Sequence, residues 1–133
     1  MSHKNSRPTT GRRERGAVAV ELAMLLPLLL AMVLFSVQVG MWFYARSIAL
    51  SAAEEGVRTS AARNSSLDAG LTTARQFAAA AGANGLTAVS ITGSRSATST
   101  TVHVSGTAVR LVPLLPMTLT VTQSATMPVE RLT

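Results

Sequence analysis

Hydrophobic and polar positions divide the chain into three regimes. From Ala17 to Ala45 almost every residue is apolar; from Ala45 to Ala81 apolar residues return every three or four positions; from Leu86 onward they alternate with Ser and Thr. Between Glu21 and Arg46 lie 24 residues without a formal charge. At about 1.5 Å per residue they make roughly 36 Å of helix, enough to cross a bilayer core of about 30 Å with some tilt. Pro27 falls inside this run, where a membrane helix tolerates the loss of one backbone hydrogen bond and the kink that can follow.

The second regime continues the helix. Ala45, Ala49, Ala53 and Gly56 form a small-residue stripe that permits close packing, and Glu54 and Arg58 are spaced as an i, i+4 pair. Asn64, Ser65 and Ser66 interrupt it, with Ser65 and Asp68 in the spacing of a capping box. Leu67, Leu71, Ala74, Ala78 and Ala81 then share a face, with Phe77 beside it and Gly82 and Gly85 as the stop. This predicts a short helix from about Ser66 to Ala81.

The third regime has the period of strands. Val89 and Ile91 alternate with Thr87, Ser90 and Thr92; Val102, Val104 and Ala108 follow the turn-like GSRSA; Met117, Leu119, Val121, Ala125 and Met127 follow Pro113 to Pro116. Gly106, isolated in the second strand, marks a bulge or a close approach. A sheet with one apolar face needs a cover, and the short helix supplies it. The expected fold class is α+β: a long N-terminal transmembrane helix, then a small domain with a short helix packed on an antiparallel sheet of about three strands. The expected divisions are a basic cytoplasmic leader at 1–16, the transmembrane helix with its extracytoplasmic extension at 17–63, and a small α+β extracytoplasmic domain at 64–133.

Charge sets the topology. Of the 133 residues, the first 16 carry five Lys/Arg and one Glu, a local net of +4, while the rest carries seven basic against five acidic residues. Arg12, Arg13 and Arg15 crowd the entry to the apolar run, and only Arg46 and Arg58 lie within the next turns after it. The positive-inside rule then keeps the N-terminus cytoplasmic and exports the C-terminal part. Trp42, Phe43 and Tyr44, directly before Arg46, have the composition of an outer membrane-interface belt. The basic residues are not interleaved with aromatics, so nucleic acid is not an expected partner.

The chain contains no cysteine, which excludes disulfides and thiolate metal sites. GxSxG, HExxH, P-loop and GxGxxG patterns are absent, and the Glu54-Glu55 pair and His103 lack the companions that acid/base chemistry or metal binding requires. No catalytic residue, metal site, cofactor or small-molecule substrate is expected. The Ser/Thr face of the strands reads as a solvated β-surface.

Glu21 is the exception inside the apolar run, and a carboxylate there calls for a named partner. Arg15 is one, at a shallow interface. Cleavage after Gly16 creates another: Ala17 becomes a free amine, i and i+4 from Glu21 on one helix face. Gly16 before such a cut and Glu at the fifth mature position resemble the processing site of type IV pilins and pseudopilins. AVAVELAMLLPLLL and SAAEEGVRTSA (Ser51 to Ala61) are similar, more narrowly, to TadE-type pseudopilins of the tight-adherence (Tad/Flp) pilus system.

The resemblance is strongest from Arg12 to about Arg63; the β-rich tail matches in style. It implies a helix-plus-small-sheet form, cleavage by a prepilin peptidase between Gly16 and Ala17, Glu21 as the processing or assembly carboxylate, and other Tad/Flp pilins and pseudopilins as partners at the membrane. The chain departs from the pattern at Ala17, where many type IV pilins carry an aromatic or Met, and at Leu22, where a Phe often follows the Glu. Two other classes compete. An uncleaved single-pass anchor would present a partner-binding domain in the envelope, with its N-terminus at Met1 or Ser2. A secreted surface protein would begin beyond Tyr44, although the apolar run exceeds the usual signal h-region of about 7 to 15 residues.

Overall fold

The computed structural model describes residues 10–114 and 116–131; the expected leader at 1–16 lies mostly outside them. Helix α1 runs Thr10–Ala61 and α2 Leu67–Gly82, followed by strands β1 Leu86–Arg95, β2 Ser99–Ala108 and β3 Thr120–Pro128. The strands form an antiparallel meander in the order β1-β2-β3. This is the expected α+β class. By compactness the chain divides into two units, Met1–Ser36 and Val37–Thr133.

In the first unit every described side chain from Gly11 to Ser36 is exposed. Leu, Ala, Met and Val are good or tolerated helix formers, and α1 continues through Pro27.

The second unit has its core on the later part of α1. Ala45, Ala49, Ala52, Ala53 and Val57 are buried there, together with Ala74 and Ala78 of α2, Leu86 and Ile91 of β1, Val102, Val104 and Ala108 of β2, and Val121 of β3. Small residues set the spacing between elements. A Cβ on Gly70 would lie 2.5 Å from the Gly56 carbonyl oxygen and 2.5 Å from Ser60 Cβ, and one on Gly56 would lie 2.8 Å from Ala74 Cβ. The two helices therefore meet backbone to backbone, which larger side chains forbid. Beneath that crossing, the Ser60 and Thr100 hydroxyls hydrogen-bond at 2.8 Å while fully buried. The hydroxyl that accepts in this pair donates onward to a backbone carbonyl, either Thr100 Oγ1 to Ser94 at 3.3 Å or Ser60 Oγ to Val57 at 3.2 Å. The Glu130 amide donates to the carbonyl of Ala61, at the end of α1, at 3.1 Å.

Several local expectations shift. Helix α2 is capped by Ser66, whose hydroxyl accepts from the Ala69 amide at 3.2 Å, in place of the Ser65–Asp68 box. Arg58 pairs with Glu55, its i, i+3 neighbour, at 2.9 Å and not with Glu54. Val89, expected inward beside Ile91, is 38% exposed. Ala88 and Val89 stand together opposite Gly106, and Ala88 has φ 51, so a bulge turns the strand by one position there. Gly106 is the close approach: its Cβ would lie 2.8 Å from Leu86 Cδ1. Strand β3 starts at Thr120, which leaves Met117 exposed in the preceding connection.

Candidate functional site

Arg12, Arg13 and Arg15 are exposed on the first turns of α1. Gly16 follows with open space on every side, for a Cβ there would meet nothing within 4 Å. It carries the roughly 1 kcal/mol helix penalty of glycine relative to alanine without a packing reason. Gly11 and Gly40 have similarly open surroundings, so what distinguishes Gly16 is its place five residues before Glu21. Ala17 and Glu21 are i and i+4 in α1, both exposed. Among the described residues Glu21 has no ion-pair partner, Arg15 included.

From Ala17 to Val37 no side chain is buried. At about 1.5 Å per residue this stretch spans roughly 31 Å, the thickness of a bilayer core. Gln38 ends it. Its side chain is 5% exposed; Nε2 donates to the Val109 carbonyl at 3.2 Å, and Oε1 accepts from the Leu111 amide at 2.9 Å. The charge-free run Leu22–Ala45 therefore changes surroundings before it ends, since Ala45 is fully buried in the second unit's core. Gln38 was not among the residues expected to matter. A signal for it exists: continuing the small-residue stripe backward from Ala53, Ala49 and Ala45 by seven positions reaches Gln38.

The aromatic cluster is divided in its tasks. The Trp42 and Phe43 rings meet edge to face, with centroids 5.0 Å apart, and the Arg46 guanidinium lies 5.7 Å from the Trp42 ring centre. Trp42 also packs on the core. Tyr44 donates its hydroxyl to the Ala81 carbonyl at 3.4 Å, and a Cβ on Gly85 would lie 2.6 Å from its ring. Phe43 is exposed.

Among the described residues no group of three or more His, Cys, Asp or Glu is placed to hold a metal. The arrangement is that of a membrane-anchored protein: one helix long and apolar enough to cross a bilayer, carried into a small α+β unit. Residues 16–58 match the family model described as TadE-like protein, so this segment of the chain, the apolar helix and its extension, is similar to TadE-like proteins. Such proteins are structural parts of the pilus system rather than an enzyme family. No curated protein and no solved structure shows significant similarity to the chain.

Proposed function

We propose that the chain is a minor pseudopilin of Tad/Flp pilus assembly, held with its N-terminus in the cytoplasm and its α+β domain outside, and cut by a prepilin peptidase between Gly16 and Ala17. The observation that carries this reading is the TadE-like match, which begins at Gly16 and follows the apolar helix. On this reading 1–16 is the removed leader, 17–63 the anchoring helix with its extension, and 64–133 the exported remainder of the domain. Arg12, Arg13 and Arg15 orient the precursor and leave with the leader. Trp42, Phe43, Tyr44 and Arg46 lie at headgroup level.

Glu21 gains its partner from the cut. A carboxylate in an apolar segment is costly until it is paired. The new α-amine of Ala17, on the same subunit or a neighbour, neutralises it and favours one register of helix against helix. Other Tad/Flp pilins and pseudopilins are the partners that present such a helix.

The test is N-terminal peptide mass spectrometry on the protein recovered from membranes with and without the resident prepilin peptidase. A peptidase-dependent start at Ala17 is expected. A start at Met1 or Ser2 in both samples would leave an uncleaved anchor, and a start beyond Tyr44 a secreted protein.

A further inference from the structure

The β2–β3 connection is the apolar part of the second unit that its core leaves out. Leu111 is 49% exposed, Leu114 90% and Met117 59%, with Pro113 and Pro116 exposed beside them. Connections are normally polar, and neighbouring exposed apolar residues mark a surface that meets something else. This one is also held in place. Gln38 grips Val109 and Leu111 through the two hydrogen bonds of its amide, and the Ala108 amide donates to the Leu119 carbonyl at 2.9 Å, closing the far end.

The grip point identifies the partner. Gln38 lies two residues beyond Ser36 in the same helix, about 3 Å along its axis, where α1 passes from its fully exposed apolar run into the folded unit. A loop pinned there is pinned where the chain emerges from the bilayer. Its composition suits that depth: prolines 113 and 116 lack the N–H that would go unpaired in lipid, and leucines supply apolar surface. Charge agrees, because no acidic residue lies between Asp68 and Glu130, so nothing on the sheet or its connections repels an anionic headgroup layer.

We propose that Leu111, Pro113, Leu114, Pro116 and Met117 form a second membrane contact, seated at the headgroup–acyl boundary of the leaflet from which α1 emerges. It steadies the domain on the membrane surface. The proposal rests on the membrane span and stands apart from the pilus reading.

The chain has no native cysteine, so single-cysteine variants of the full-length protein can carry an environment-sensitive fluorophore: Leu29→Cys in the span, Leu114→Cys in the loop, and Ala97→Cys in the polar β1–β2 turn at the opposite end of β2. Each is placed in nanodiscs containing anionic lipid. The Leu114 label is expected to emit to the blue of the Ala97 label and to be quenched several-fold more by nitroxide lipid than by aqueous iodide, with Ala97 showing the reverse and Leu29 setting the in-lipid reference. Iodide quenching at Leu114 equal to that at Ala97 would overturn the proposal. Shielding at Leu114 only when a disc holds more than one copy would also overturn it, in favour of a second subunit as the cover. Loss of lipid quenching at Leu29 as well would remove the span and the proposal together.

Discussion

Replacing Gly70 by alanine tests the helix contact on which the second unit is built. The added Cβ would sit 2.5 Å from the Gly56 carbonyl oxygen and 2.5 Å from Ser60 Cβ, and ordinary contact begins at 3.4 Å. One of these neighbours is backbone, so relief requires α1 and α2 to move apart by roughly 0.9 Å, which is overpacking of the kind that costs roughly 1–3 kcal/mol. Alanine returns something less than about 1 kcal/mol of helix propensity, because Gly70 is still in the first turns of α2. A net loss of about 2 kcal/mol lowers the midpoint of thermal unfolding by about 8–16 °C for a domain of this size. Trp42 is the only tryptophan and packs on this core, so its fluorescence in detergent reports the unit while the apolar helix stays folded. Gly40→Ala is the internal control: it lies in α1 with nothing within 4 Å, and its midpoint is expected to hold or rise. A Gly70→Ala midpoint within about 2 °C of the parent, a shift well below 1 kcal/mol for such a unit, would refute the backbone-to-backbone crossing.

Gln38→Leu should strand the Val109 carbonyl and the Leu111 amide, costing roughly 1–3 kcal/mol, and hydrogen exchange should show faster exchange at Leu111 with the β1–β2 ladder unchanged. Thr100→Val and Ser60→Ala should each cost about 1 kcal/mol in chemical denaturation, and the double mutant should fall short of their sum by roughly 0.5–1.5 kcal/mol because one buried hydrogen bond is shared. Ala88→Gly should raise the unfolding midpoint, since a left-handed alanine carries strain of order 1 kcal/mol that glycine lacks; Ala88→Val should lower it. Glu21→Ala is expected to insert into membranes like the parent while impairing piliation, so normal pili in that strain would count against a role for the carboxylate.

What could be read from the chain and what could not follow a physical division. Helix α2 was legible to within a residue because its apolar face and the glycines at its end agree on it, although its cap is Ser66 and not Ser65. Val102 and Val104 were legible because a central strand keeps strict alternation. Val89 was not: its outward turn is set by the left-handed backbone at Ala88, which alanine does not prefer and which the pairing of β1 with β2 imposes. The stripe from Ala45 to Gly56 announced a close contact without naming Gly70 as its other side, since spacing along one helix carries no information about which backbone approaches it. Glu21 stood out at once, because a charge in an apolar run is visible in one dimension. Gly16 drew meaning only from its distance to Glu21, and its open surroundings in the folded chain give it no packing role.

Gln38 is the case where the two kinds of information combine. In sequence it is one amide in a hydrophobic run, with nothing to say whether lipid, water or protein surrounds it. Folded, it is buried and holds the start of the β2–β3 connection at Val109 and Leu111, so the fully exposed apolar length stops at Val37 rather than at Ala45. That moves the span toward the N-terminus. A stretch from Ala17 to Val37 covers roughly 31 Å, about one bilayer core with little left over, and it puts Ala17 at one end of such a span and Glu21 only about 6 Å further along it. At that depth a carboxylate on a lone subunit can still lean toward the interface. Once such helices pack side by side the same carboxylate loses water and needs a cation, which the amine at Ala17 supplies only after Gly16 has been cut away. The length fixed by Gln38 at one end of the span thus gives the proposed cleavage at the other end a physical consequence: it sets which charge Glu21 meets.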